Sequence, residues 1–126
     1  MPRHHHYILD ADNRPVAVGL DEWAMWFETA DRRVAYTEIT SQVFVSTVFL
    51  GIDHRFGYRE GPPLLFETMV FKDKETMEED GCWRYSSWDD AQAGHDAVVK
   101  RLRKAMLRPA ARTAPLSSPT SSESKG

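Results

Sequence analysis

Gln42-Val43-Phe44-Val45-Ser46-Thr47-Val48-Phe49-Leu50 is the stretch on which the fold turns. It is rich in Val, Phe and Thr, whose branched or aromatic side chains fit a pleated, half-buried surface better than a helix. Upstream, Val34 to Ile39 has the same character and joins it tightly around Thr40-Ser41, the arrangement of an antiparallel pair. Downstream, the segment Gly51 to Pro63 has glycines, a proline pair and little periodicity, and reads as a long loop. Leu64 to Phe71 resumes strand character, Lys72 to Asp80 is a charged connection, and Gly81 to Ser86 is a short final strand. Near the N-terminus, Tyr7 to Leu9 and Pro15 to Val18 flank Asp10-Ala11-Asp12-Asn13-Arg14, whose Asp and Asn residues favour a turn. The simplest assembly is an antiparallel meander of about five to six strands.

Two helices complete an α+β class. Asp21 can cap the first, after which Trp23, Trp26 and Phe27 fall on one face of eight to ten residues. Ser87 followed by Asp90 is a capping signature for the second. Its stripe of Trp88, Ala91, His95, Val98, Leu102 and Ala105 alternates three- and four-residue steps, so this longer C-terminal helix lies on the sheet and Pro109 stops it. Residues 1–107 read as one domain. Residues 108–126 are a Pro/Ser/Thr-rich tail with almost nothing to bury, expected to be disordered.

With 126 residues, 41% of them hydrophobic, the chain can bury a core without disulfides or structural metal. Cys82 is the only cysteine, which excludes an intrachain disulfide and a multi-cysteine zinc site. It is expected to be a half-buried strand residue. No run of about eighteen apolar residues and no signal-peptide layout is present, so the expected setting is cytoplasmic and away from membranes. Residues 1–107 carry 13 basic and 18 acidic side chains, a formal charge of −5 that disfavours duplex nucleic acid. Local clusters at Arg32-Arg33 and from Lys100 to Lys104 could still hold a small anion, although a solvated face accounts for each more simply.

Candidate chemistry gathers in three places. Asp53-His54-Arg55 sits in the Gly51–Pro63 loop, where an imidazole beside a carboxylate and a guanidinium could act as base, metal ligand or anion clamp. The structural alternative has Asp53 capping the loop and His54 bonding backbone. His95 lies on the buried helix stripe as a core histidine; if it met His54 with Glu67 or Asp53, a two-histidine, one-carboxylate site would result. Glu67 interrupts an apolar strand and needs a partner such as Arg84 or His95. Arg84 and Tyr85, beside Trp83, offer the guanidinium and aromatic planes that stack on bases and grip phosphate; cross-strand packing is the alternative. No P-loop, dinucleotide glycine pattern, nucleophile elbow or HExxH is present, and no cofactor or metal is expected.

Trp23-Ala24-Met25-Trp26-Phe27-Glu28, Asp31-Arg32-Arg33-Val34-Ala35, Val45 to His54, Gly61 to Phe71, and Arg84-Tyr85-Ser86-Ser87-Trp88 with Ala93-Gly94-His95 form a combined string over residues 7 to 100. In it the chain resembles a family of small bacteriophage- and prophage-encoded proteins, mostly of unknown function; its long Ser-rich tail departs from their shorter ends. The resemblance implies genomic origin and assigns no residue a role. It leads to the expectation of a non-enzymatic accessory protein that interferes with host defence, binding a small anionic nucleotide or masking a host protein. Ligand contacts would come from Asp53, His54, Arg55, Arg84 and Tyr85, with self-association covering an aromatic face. A His-dependent enzyme using His54, His95 and Glu67, with or without a metal, is the first alternative; a virion or assembly component is the second.

Overall fold

A computed structural model describes residues 5–55, 61–73 and 79–107, so the tail expected from residue 108 lies outside the described residues. The elements are β1 (Tyr7–Leu9), β2 (Pro15–Ala17), α1 (Leu20–Thr29), β3 (Arg33–Glu38), β4 (Phe44–Phe49), β5 (Phe66–Phe71), β6 (Glu79–Tyr85) and α2 (Trp88–Met106). The class is α+β. The single meander of five to six strands is corrected: β3-β4-β5-β6 form a four-stranded antiparallel sheet, and β1-β2 form a separate two-stranded hairpin.

The hairpin stays apart because α1 occupies the chain between β2 and β3. One bridge, His6 with Ile52, and the Tyr7 N–H on the Gly51 carbonyl at 2.9 Å tie the hairpin to the end of β4. Its turn is built by Asp10, whose Oδ1 accepts from the backbone N–H groups of Asp12 (2.8 Å) and Arg14 (2.9 Å), and by Asn13 at φ 62°. The Arg14 N–H is the main influence holding the Asp10 carboxyl below its ordinary range.

Strand alternation sorts the large sheet into two faces. Val45, Thr47 and Phe49 of β4 and Phe66, Thr68 and Val70 of β5 are all buried, and α2 packs across all four strands on that side. Ala91, His95, Val98 and Val99 are the buried residues of α2. Val98 and Val99 cluster with Val45 and Val70, and Ala91 with Phe49, Leu65 and Phe66. Each fully buried Val or Phe contributes about 1.5–3 kcal/mol, so these clusters carry most of the stabilisation. Gly94 lets the helix approach, since a Cβ there would overlap the Tyr85 ring and hydroxyl. Ser87 caps α2, its side chain accepting from the Asp90 N–H at 3.1 Å, with Asp89 and Asp90 in the first turn and Arg103 and Lys104 in the last, as the helix dipole favours.

The first helix starts one residue before Asp21. Gly19 is its N-cap, with no side-chain cap bond, and Asp21 lies in the first turn. No residue of α1 is buried. Rings attach it to the body: Trp26 stands edge-on to Phe49 at 5.7 Å, Trp23 stands edge-on to His6 at 5.1 Å, and the Arg32 guanidinium lies 4.1 Å over Phe27. No helix among the described residues is long and apolar enough to cross a membrane.

Candidate functional site

The Asp53-His54-Arg55 segment is tied into its own loop. Asp53 is fully buried, and its Oδ1 accepts from the backbone N–H groups of Arg55 (2.9 Å) and Leu64 (3.0 Å), clamping the two ends of the loop. His54 Nδ1 donates to the Ile52 carbonyl at 2.9 Å. Arg55 Nε donates to the Pro62 carbonyl at 2.6 Å, with its guanidinium against Gly61. All three side chains therefore contact backbone and shape the loop.

Period-two alternation separates Arg84 from Tyr85. Arg84 pairs in register with Glu67, and its Nε donates to Glu67 Oε2 at 3.0 Å on the face away from α2. Tyr85 turns towards α2 and packs on Gly94 and the Phe66 cluster. Guanidinium and ring thus occupy opposite faces and form no common stacking platform. Cys82, expected to be half-buried, is exposed beside this ion pair and donates its S–H to Glu67 Oε2 at 3.2 Å. With 40% of the Arg84 side chain and 12% of the Glu67 side chain exposed, solvent keeps the pair's contribution to stability small.

His95, 2% exposed, is the centre of a buried polar chain. Its Nδ1 is 2.7 Å from Thr47 Oγ1, its Nε2 is 2.9 Å from Thr37 Oγ1, and Thr47 Oγ1 bonds in turn to Thr68 Oγ1. A neutral imidazole needs one donor and one acceptor, and hydroxyls can serve as either, so both ring nitrogens are satisfied. Burial pushes the His95 pKa below its ordinary value, and the neighbouring Asp96 charge offsets part of that. Glu67 points from the opposite face of the same sheet, so His95 and Glu67 do not share a site. Nor does His54 join them, being bonded within its own loop. Among the described residues, no group of three His, Cys, Asp or Glu side chains is placed to hold a metal ion.

Thr68 stands out in the sequence only as a polar break in an apolar strand, and Thr37 and Thr47 do not stand out at all. Their signal was present: Thr37, Thr47 and Thr68 occupy core-facing positions of three strands, and a histidine on the buried stripe of a helix needs polar partners there.

A different surface presents charge to solvent. Lys100, Arg103 and Lys104, with Asp96, Val99 and Leu107, line an open groove of about 610 Å³ along one side of α2. The three cations share this lining with the Asp96 carboxylate and with Leu107, 84% exposed and next to the exposed Met106, while Val99 is turned into the core. A smaller hollow of about 230 Å³ between the β1-β2 turn and the start of α2 holds Arg14 but also Asp12 and Asp89, whose charges oppose an anion there. No protein-family model matches the chain, and neither a curated protein nor a solved structure does.

Proposed function

We propose that this chain is a non-enzymatic, phage-encoded accessory protein of the host cytoplasm. It interferes with host defence by binding, and self-association is part of the same reading. The observation that supports binding is the α2 groove, where Lys100, Arg103 and Lys104 outweigh the single carboxylate of Asp96 beside the exposed Leu107. Cations beside one exposed apolar side chain suit a partner that combines negative charge with some apolar surface. A small anionic nucleotide and an acidic patch on a host protein both meet that description. The loop residues Asp53, His54 and Arg55 serve the binding reading only indirectly, by holding the loop's shape.

Isothermal titration of the full chain with cyclic and ADP-ribose-type nucleotides tests the first form. Heat that disappears in Arg103→Glu assigns the groove to a nucleotide. For the second form, an identified host defence protein should bind the wild-type chain with an affinity that falls with salt and drops roughly tenfold or more in Lys100→Glu/Arg103→Glu. Equal binding by wild type and double variant would remove the groove from the proposal.

A further inference from the structure

A row of polar groups divides the core under α2. On β4 the buried Thr47 stands between Val45 and Phe49, and on β5 the buried Thr68 stands between Val70 and Phe66. On α2 the buried His95 stands between Val98 and Ala91. In each case the first apolar residue belongs to one cluster, with Val99, and the second to another, with Leu65. The partly buried side chains divide the same way, Trp83 and Leu102 packing on the first cluster and Tyr85 and Trp88 on the second. Hydrogen bonds run along the row between them, from Thr37 through His95 and Thr47 to Thr68.

The two halves of α2 are held unequally. Before His95, Ser87 caps the helix, Ala91 is fully buried, Trp88 stands edge-on to Phe66 at 6.3 Å, and Gly94 fits against Tyr85. After His95 the apolar anchors are Val98, Val99 and the half-buried Leu102, and Met106 and Leu107 are exposed. Gly94 sits at the junction and is the weak point of the helix by propensity. We infer that residues 96–106 form a segment of α2 that opens separately from residues 88–94, with the charge on His95 as the trigger. A neutral imidazole fits the row because it donates one hydrogen bond and accepts one. An imidazolium donates two, so the hydroxyl that donated to the ring loses its acceptor, and a full charge stands at a position 2% exposed. The sheet offers that charge no counter-ion among the described side chains. β3, β4 and β5 face the ring with Thr37, Thr47 and Thr68, and β6 turns Trp83 and the Tyr85 phenol to the same side. Glu38, Glu67 and Arg84 alternate to the other face. On α2 the charged neighbour is Asp96, which is exposed and offsets only part of the effect of burial. Below about pH 6.5, where a histidine in water takes up its proton, release of the ring to water therefore favours the open segment. Opening removes the cationic groove whatever it binds, because Lys100, Arg103 and Lys104 lie on the same segment.

Residue-resolved hydrogen exchange of the full chain in low urea tests this, with circular dichroism confirming that each variant is folded. At about pH 7.5 the amides of residues 99–106, whose helical acceptors lie beyond Gly94, should exchange more readily and with weaker urea dependence than those of residues 91–94. Phe66→Leu, which trims the second cluster alone, should lower protection of residues 91–94 and leave residues 99–106 unchanged. At about pH 5, protection of residues 99–106 should fall roughly tenfold in wild type and stay constant in His95→Gln, whose side chain is uncharged at either pH. One level of protection and one urea dependence along the whole of α2 would overturn the inference, as would an acid effect that survives in His95→Gln. The Phe66→Leu comparison needs no change at His95, so it decides the division of the helix even where His95→Gln does not fold.

Discussion

The two helices of this protein are attached to the same body by different physics. α2 has nineteen residues, a side-chain cap, four buried residues and a histidine whose ring nitrogens both reach strand hydroxyls. α1 has ten residues, no side-chain cap, no buried residue and, among the strands, backbone proximity to β1 alone. Rings hold α1, and one of them is imperfectly satisfied, since the Trp23 indole N–H is buried with no acceptor among the described residues. Free energy is therefore distributed unevenly. The α2–sheet seam carries the global stability, and α1 with its hairpin is the unit expected to open first.

The largest effect should come from forcing that seam apart. Gly94→Val inserts a branched side chain where even a Cβ overlaps Tyr85, and is expected to cost about 3 kcal/mol, read as a lowered urea midpoint. A change well under 1 kcal/mol would show that α2 can slide on the sheet.

The second experiment concerns the buried imidazole. His95→Gln keeps a donor and an acceptor but cannot span both threonines, so about 2 kcal/mol should be lost at about pH 8. Because burial lowers the His95 pKa in the folded state, the unfolded chain takes up the proton first as the solution is acidified. The stabilisation from the neutral ring is complete above the unfolded value near 6.5 and is lost as the pH falls through the lower, folded value. Wild type should therefore lose stability on acidification below pH 6.5 more steeply than His95→Gln does. Parallel curves for the two proteins would mean that His95 is not the group responsible.

The smallest effect should appear on the other side of the comparison. Gly51 adopts φ 79°, and a Cβ there would lie 2.8 Å from a Phe27 ring carbon and 2.9 Å from Trp23 Nε1. Gly51→Ala is expected to cost about 1–2 kcal/mol, concentrated in α1. Amide exchange should accelerate in Leu20–Thr29 while protection of α2 changes little. Uniform loss of protection in both helices would contradict the division into a strong seam and a weakly held lobe.

Local chemistry made much of the architecture readable. Six strand-like segments and the capped C-terminal helix with His95 on its buried stripe follow from period and capping residues, and the need of Glu67 for a partner follows from its place in an apolar strand, with Arg84 and His95 both open until the register paired it with Arg84. Alternation also contains the separation of Arg84 from Tyr85, because adjacent strand residues point to opposite faces and cannot build one site. The tertiary structure decided the rest. Whether Tyr7–Leu9 joins the main sheet depends on where α1 places the hairpin, which local periodicity does not encode. The meeting of Thr37, Thr47 and Thr68 with His95 depends on strand register and helix position together, across up to 58 residues of chain. Composition marked Lys100 to Lys104 as basic, but only the packing of α2 on the sheet leaves Lys100, Arg103 and Lys104 along one open groove, because that packing determines which stripe of the helix is buried and which faces water.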